Sequence, residues 1–93
     1  MLNIEKAKEI INEYVEEYFD DSILKSDDSK GVKVVNFTEG RYDWGCTDSY
    51  YTRAQADKLK ENQAPDFLGG GKLFDFCFEE NGILYTFKAR QQS

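Results

Sequence analysis

Apolar positions recur at helical spacing along residues 3–20. Ile4, Ala7, Ile11, Tyr14, Val15 and Tyr18 gather on one face at about 100° per residue, with Ile10 and Phe19 on its flanks. Asn3 stands where a side-chain oxygen would accept an early backbone N–H, and the helix is expected to end near Phe19–Asp21. The opposite face carries Glu5, Glu9, Glu13, Glu16 and Asp20. A polar stretch at 25–31 follows, with turn formers and a glycine stop. From Val32 to Thr38 the residues are β-branched and aromatic, which predicts a strand. Glu39-Gly40 reads as a two-residue turn. Folding there sets Phe37 opposite Tyr42 and Val35 opposite Trp44 on one side, leaving Asn36, Thr38, Arg41 and Asp43 for solvent.

Thr52-Arg53-Ala54-Gln55 is a capping box, because the Thr hydroxyl and the Gln amide can each satisfy an orphan N–H at a helix start. A short helix over 53–62 follows, with Ala56 and Leu59 on its apolar side, Asn62 at its end and Pro65 blocking continuation. Residues 66–71 read as a loop, since three consecutive glycines lose too much entropy in a regular element. Asn81-Gly82 can take the two positive φ angles of a type I′ turn. That turn pairs Phe78 with Tyr85, Phe76 with Phe87 and Phe74 with Ala89 on a core face. Asp75–Lys88, Cys77–Thr86 and Glu79–Leu84 then share the other face. A slip of one residue would bury the charges and expose the rings, so the register is firm. The expectation is one α+β domain over 1–93 in the order αββαββ, with a four-stranded antiparallel sheet and the N-terminal helix across its aromatic face. This element order resembles that of cystatin-like and β-lactamase-inhibitor-like αββ proteins, an analogy of layout that does not fix function.

Composition narrows the functions. Ninety-three residues make one domain with one modest core. Aromatics at 15% supply much of that core where Leu and Val are few. No apolar run is long enough to span a membrane. A net charge of −6 argues against direct nucleic-acid binding, which needs clustered cations. Histidine is absent, removing the commonest general base and metal ligand. The N-terminus lacks the basic start and apolar run of a secretory signal, so the cytoplasm is expected. Cys46 and Cys77 are too few and too far apart for a disulfide framework and read as free thiols, with a single disulfide as the alternative.

The candidate chemical motifs fail on inspection. Gly69-Gly70-Gly71-Lys72 lacks the first glycine and the magnesium-binding hydroxyl of a phosphate loop, with Asp66 and Leu73 in those places. Asp27-Asp28-Ser29-Lys30-Gly31 puts a lysine where a calcium loop needs an oxygen ligand, and Phe37 where it needs a glutamate. Neither thiol has an imidazole to activate it. Glu16–Glu17, Asp20–Asp21 and Glu79–Glu80 are adjacent in sequence, not set across a cleft as acid and nucleophile must be. No catalytic activity, cofactor or metal is expected.

The acidic helix face is the most informative feature. Glu5–Glu9, Glu9–Glu13, Glu13–Glu17 and Glu16–Asp20 are like-charge pairs at four-residue spacing, each costing about 0.2–0.5 kcal/mol at low salt. A solubilising face is the plain explanation; a negative docking surface is the functional one. Tyr50, Tyr51, Phe67 and Leu68 form a second candidate, weighed against Tyr51 stapling the second helix on Ala56 and Phe67 and Leu68 closing the core edge. The expected function is a small acidic protein-interaction module of the inhibitor or immunity and anti-defence type. It would place Glu9, Glu13, Glu16 and Asp20, with Tyr50, Tyr51, Phe67 and Leu68, on a basic partner protein such as a nuclease or nucleic-acid-binding effector. It would be a monomer or a homodimer. The alternatives are a homo-oligomeric structural domain pairing by a sheet edge or through Cys77 and Leu84, and a cystatin-like domain binding a small molecule between helix and sheet.

Overall fold

A computed structural model describes residues 2–61 and 74–88. Helix α1 spans Ile4–Tyr18, followed by 3-10 turns at Ser22–Leu24 and Asp28–Lys30. Strands β1 (Val32–Glu39) and β2 (Trp44–Tyr51), helix α2 (Arg53–Lys60), and strands β3 (Phe76–Glu80) and β4 (Ile83–Lys88) complete the described elements. Both helix starts are capped as their sequences require. The Asn3 side chain accepts the Lys6 N–H at 2.9 Å, and Thr52 and Gln55 form the reciprocal capping box. Helix α2 stops at Lys60, shorter than its pattern suggested, and the expected end at Asn62 lies outside the described residues, as do the 66–71 loop and Gly69–Lys72.

The four strands lie in the order β2-β1-β4-β3. Each hairpin is antiparallel, but β1 and β4 run parallel, with Val34 beside Leu84 and Phe37 beside Phe87. The sheet is therefore mixed, not the antiparallel sheet expected from hairpin order. The hairpins join through their most apolar strands, and the α2-bearing connection from edge strand β2 to edge strand β3 makes those two central strands point the same way.

Being central, β1 and β4 are buried on both faces, which gives the consecutive apolar runs of internal strands. On one face α1 sets Ala7, Ile10 and Ile11 against Val35, Phe37, Tyr85 and Phe87. The Phe37 and Phe87 rings stack at 5.1 Å, and Tyr14 meets Phe37 edge-on at 5.8 Å. On the other face α2 lays Ala56 and Leu59 over Val34 and Leu84, with Tyr51 and Cys77 at the margin. The face of the second hairpin expected to meet solvent is thus covered, and Leu84 is unavailable as an oligomer contact. Phe74 does not join the aromatic side: it precedes β3 and packs with Ala56 and Leu59, while Ala89 lies outside the described residues. Asp75 also precedes the strand and donates its N–H to the Phe87 carbonyl at 2.9 Å, so the paired register begins at Phe76–Phe87 and not at the expected Asp75–Lys88.

The second hairpin otherwise folds as its sequence demands. Asn81 and Gly82 take φ of 55° and 76°, and Phe76–Phe87, Cys77–Thr86, Phe78–Tyr85 and Glu79–Leu84 are the observed pairs. The first hairpin turns later than expected. Glu39 stays in the strand opposite Trp44, Phe37 faces Cys46 and Val35 faces Asp48. Gly40 donates its N–H to the Asp43 carbonyl at 2.8 Å, and a Cβ on Gly40 would sit 2.6 Å from that oxygen. The glycine serves close backbone approach, not a positive φ, and the turn tip falls at Arg41–Tyr42. The shift is an even number of residues, so Val35, Phe37 and Trp44 still share the α1 face, but Tyr42 leaves the core and is 88% exposed.

Lys33 lies buried in β1, 4% exposed. Its ammonium donates to the Ser22 and Lys25 carbonyls, each at 2.7 Å, and lies 3.4 Å from the Asp48 carboxylate. It ties the 3-10 turn after α1 to the sheet. Among the described residues no helix is long and apolar enough to cross a membrane.

Candidate interaction surface

Glu9, Glu13 and Glu16 stand exposed on the outer side of α1, because Ala7, Ile10 and Ile11 turn the other side to the sheet. Lys6 approaches Glu9 at 3.6 Å, and Lys8 reaches away to Glu80 at 3.2 Å. Glu13, Glu16 and Glu17 make no ion pair with any described residue. The last turn of α1 holds no basic residue, so the negative end of the helix dipole adds to these charges. Asp20 follows, partly exposed. Its carboxylate accepts the Ser22 N–H at 3.0 Å and hydroxyl at 2.6 Å, bonds that hold its pKa below the usual carboxylate range.

The acidic stripe ends at an exposed aromatic corner. Phe19 closes α1 in the left-handed region, φ 52° and ψ 36°, with its ring 94% exposed. Helix ends of this kind usually place glycine there, since a Cβ is penalised. Tyr18, also exposed, donates its hydroxyl to Asp43 at 3.2 Å and so joins the helix end to the 40–43 turn. Tyr42 is next to Asp43, with the Arg41 guanidinium 5.6 Å from its ring centroid. Tyr18, Phe19 and Tyr42 thus stand near Glu17, Asp20 and Asp43. The sequence reading missed this corner by placing Phe19 on the helix flank and Tyr42 opposite Phe37. The available signal was an aromatic beside an acid in both Tyr18-Phe19-Asp20-Asp21 and Arg41-Tyr42-Asp43.

Of the second candidate patch only Tyr50 and Tyr51 fall among the described residues. Tyr50 and Tyr51 alternate along β2 and face opposite sides of the sheet. Tyr50 receives the Lys30 ammonium at 5.6 Å from its ring centroid, while Tyr51 packs against the cluster holding Ala56 and Leu59, as a staple would. Phe67 and Leu68 lie outside the described residues.

Other groups are chemically quiet. Cys46 and Cys77 are free thiols. Burial, aided by the charge of Asp48, pushes Cys46 up to about 11. Cys77 is raised chiefly by burial and lies 3.9 Å from the Lys60 carbonyl, so neither is a ready thiolate. Asp27 gives its carboxylate to the Ser29 N–H and hydroxyl, capping the second 3-10 turn. A cavity of about 270 Å³ opens on the α2 side of the sheet, floored by Asn36, Thr38, Thr47 and Thr86. Comparison of the chain with family models, curated proteins and solved structures returns no match.

Proposed function

We propose that the protein is an acidic interaction module of the inhibitor or immunity and anti-defence type, docking α1 and its aromatic end on a basic site of a partner protein. A nuclease or other nucleic-acid-binding effector has such a site. The observation that carries the reading is the run of unpaired Glu13, Glu16 and Glu17 leading into exposed Tyr18, Phe19 and Tyr42. Exposed aromatics supply the few contacts that dominate binding energy, and a charged surround steers encounter and excludes wrong partners. A face needed only for solubility does not require a phenyl ring held in the left-handed region.

The test starts from a partner captured out of the native host and purified. Changing Glu9, Glu13 and Glu16 together to Lys is expected to slow association about 10-fold or more at low salt, with the effect fading as screening grows. Phe19→Ala is expected to leave association nearly unchanged and to speed dissociation, a loss of about 1–2 kcal/mol. A captured partner that binds both variants as well as the parent protein would overturn the reading.

A further inference from the structure

The two edges of the sheet are built differently. Edge strand β3 has five residues and ends in Glu79 and Glu80. Arg53 and Lys60 from α2 hold Glu79 at 2.7 and 3.0 Å, and Lys8 from α1 holds Glu80 at 3.2 Å. Charged side chains from both helices therefore stand along that edge, a recognised means of blocking further strand pairing. Edge strand β2 has eight residues and keeps unbroken register with β1 from Trp44 to Tyr51, so it has no bulge. It contains no Lys, Arg or Pro. Its one carboxylate, Asp48, is met by Lys33 from within the sheet at 3.4 Å. Trp44, Thr47, Tyr50 and Tyr51 are strand formers set among the weaker Gly45 and Asp48, and no described strand pairs with the outer side of β2.

The hydrogen-bond alternation identifies which groups face outward. Gly40 and Asp43 are a bonded pair, and bonded pairs recur at every second position of an antiparallel ladder. Thr38–Gly45, Asn36–Thr47 and Val34–Ser49 are then bonded within the chain. The backbone groups of Trp44, Cys46, Asp48 and Tyr50 point away from β1.

We infer that β2 is the interface of a homodimer, in which two copies pair their β2 strands antiparallel about a twofold axis at Thr47, perpendicular to the sheet. That axis sets Trp44 opposite Tyr50 and Cys46 opposite Asp48 of the second copy, and these are the residues with outward backbone groups. Gly45 falls opposite Ser49, and Thr47 opposite its own copy. The aromatic and Thr–Thr pairs belong to the favourable cross-strand classes. An axis one residue on, at Asp48, would set two carboxylates directly opposite; at Thr47 they are diagonal, and each has its own Lys33. A second copy suits this edge because both halves of the register are already present in β2. The inference does not rest on the acidic face, which belongs to α1.

The experiment is size-exclusion chromatography with light scattering on the intact chain over about 1–100 µM, with two variants. The parent protein is expected at twice its 10.8 kDa mass. Thr47→Lys, which brings two ammonium groups together on the axis, is expected at the monomer mass with an unchanged circular dichroism spectrum. Thr47→Cys is expected to give a covalent dimer on mild oxidation, whereas Ser49→Cys, opposite Gly45, is not; this pair decides the matter if Thr47→Lys fails to fold. A monomeric parent protein at every concentration overturns the inference. So does a dimer in which Thr47→Cys does not cross-link, which would place the contact elsewhere.

Discussion

Two side chains carry more structure than their residue types announce. Lys33 was visible in the sequence as one charge inside Val32–Phe37, and strand alternation sets it on the same side as Val35 and Phe37, against its residue type. It is buried because β1 is internal, and its three oxygen partners come from a turn and a neighbouring strand that sequence spacing does not bring together. Lys33→Met should keep most of the volume but leave a carbonyl of the 20–25 turn without its donor. We expect a loss of about 1–3 kcal/mol in urea unfolding; a change below a few tenths would show that the turn holds without it. Glu79 gives a pH test. Hydrogen bonds from Arg53 and Lys60 lower its pKa to about 2, below the roughly 4.3 of an unfolded chain. Its contribution is therefore complete above the unfolded value and is lost as pH falls from about 5 towards 2. Glu79→Gln should lower stability at pH 7 and flatten the decline in melting temperature across that window. Parallel curves for variant and parent protein would exclude Glu79 as a source of the acid limb.

At the scale of elements, the ends of α1 separate folding from function. Its start obeys capping chemistry and was legible from Asn3 alone. Its finish was legible as a place but not as a surface, because helical periodicity stops having meaning once the backbone enters the left-handed region at Phe19. Phe19→Gly removes the steric cost of that conformation and, in a ring 94% exposed, removes little packing. The variant should be more stable by about 1 kcal/mol, while its complex with the captured partner dissociates faster. A less stable Phe19→Gly would mean that the ring supports the fold. The hairpins show the same contrast. Asn81-Gly82 fixes its register through backbone angles that few residues adopt, so its pairs from Phe76 to Glu79 could be read directly. Glu39-Gly40 offers a glycine without saying whether it serves φ or close approach, and the turn moved to Arg41–Tyr42.

For the whole molecule, the two hairpins as elements and most of the α1-facing core were readable because they depend on local period, though not the register of the first hairpin or the places of Tyr42 and Phe74. The order of strands was not, because nothing in a hairpin says which of its strands will meet another hairpin. The clue was present in Val32–Phe37 and Ile83–Phe87, apolar at consecutive positions as internal strands are. The parallel seam between them governs how the chain acquires its structure. Pairing Lys33 with Ile83 and Phe37 with Phe87 joins segments fifty residues apart, each position of β1 meeting the position fifty further on. Each hairpin can close locally within microseconds, but the seam must close a large loop before its contacts repay the entropy. Refolding should therefore be limited by hairpin docking, on the millisecond-to-second scale of non-local topologies. Val34→Ala should chiefly speed unfolding, and Gly82→Ala should affect folding and unfolding differently from it; identical partitioning of the two in a chevron would contradict late docking. On a ribosome the first hairpin emerges with the inner edge of β1 bare and both its faces apolar, and it keeps that sticky edge until β4 has been synthesised. During that interval the nascent chain is a natural client for a chaperone.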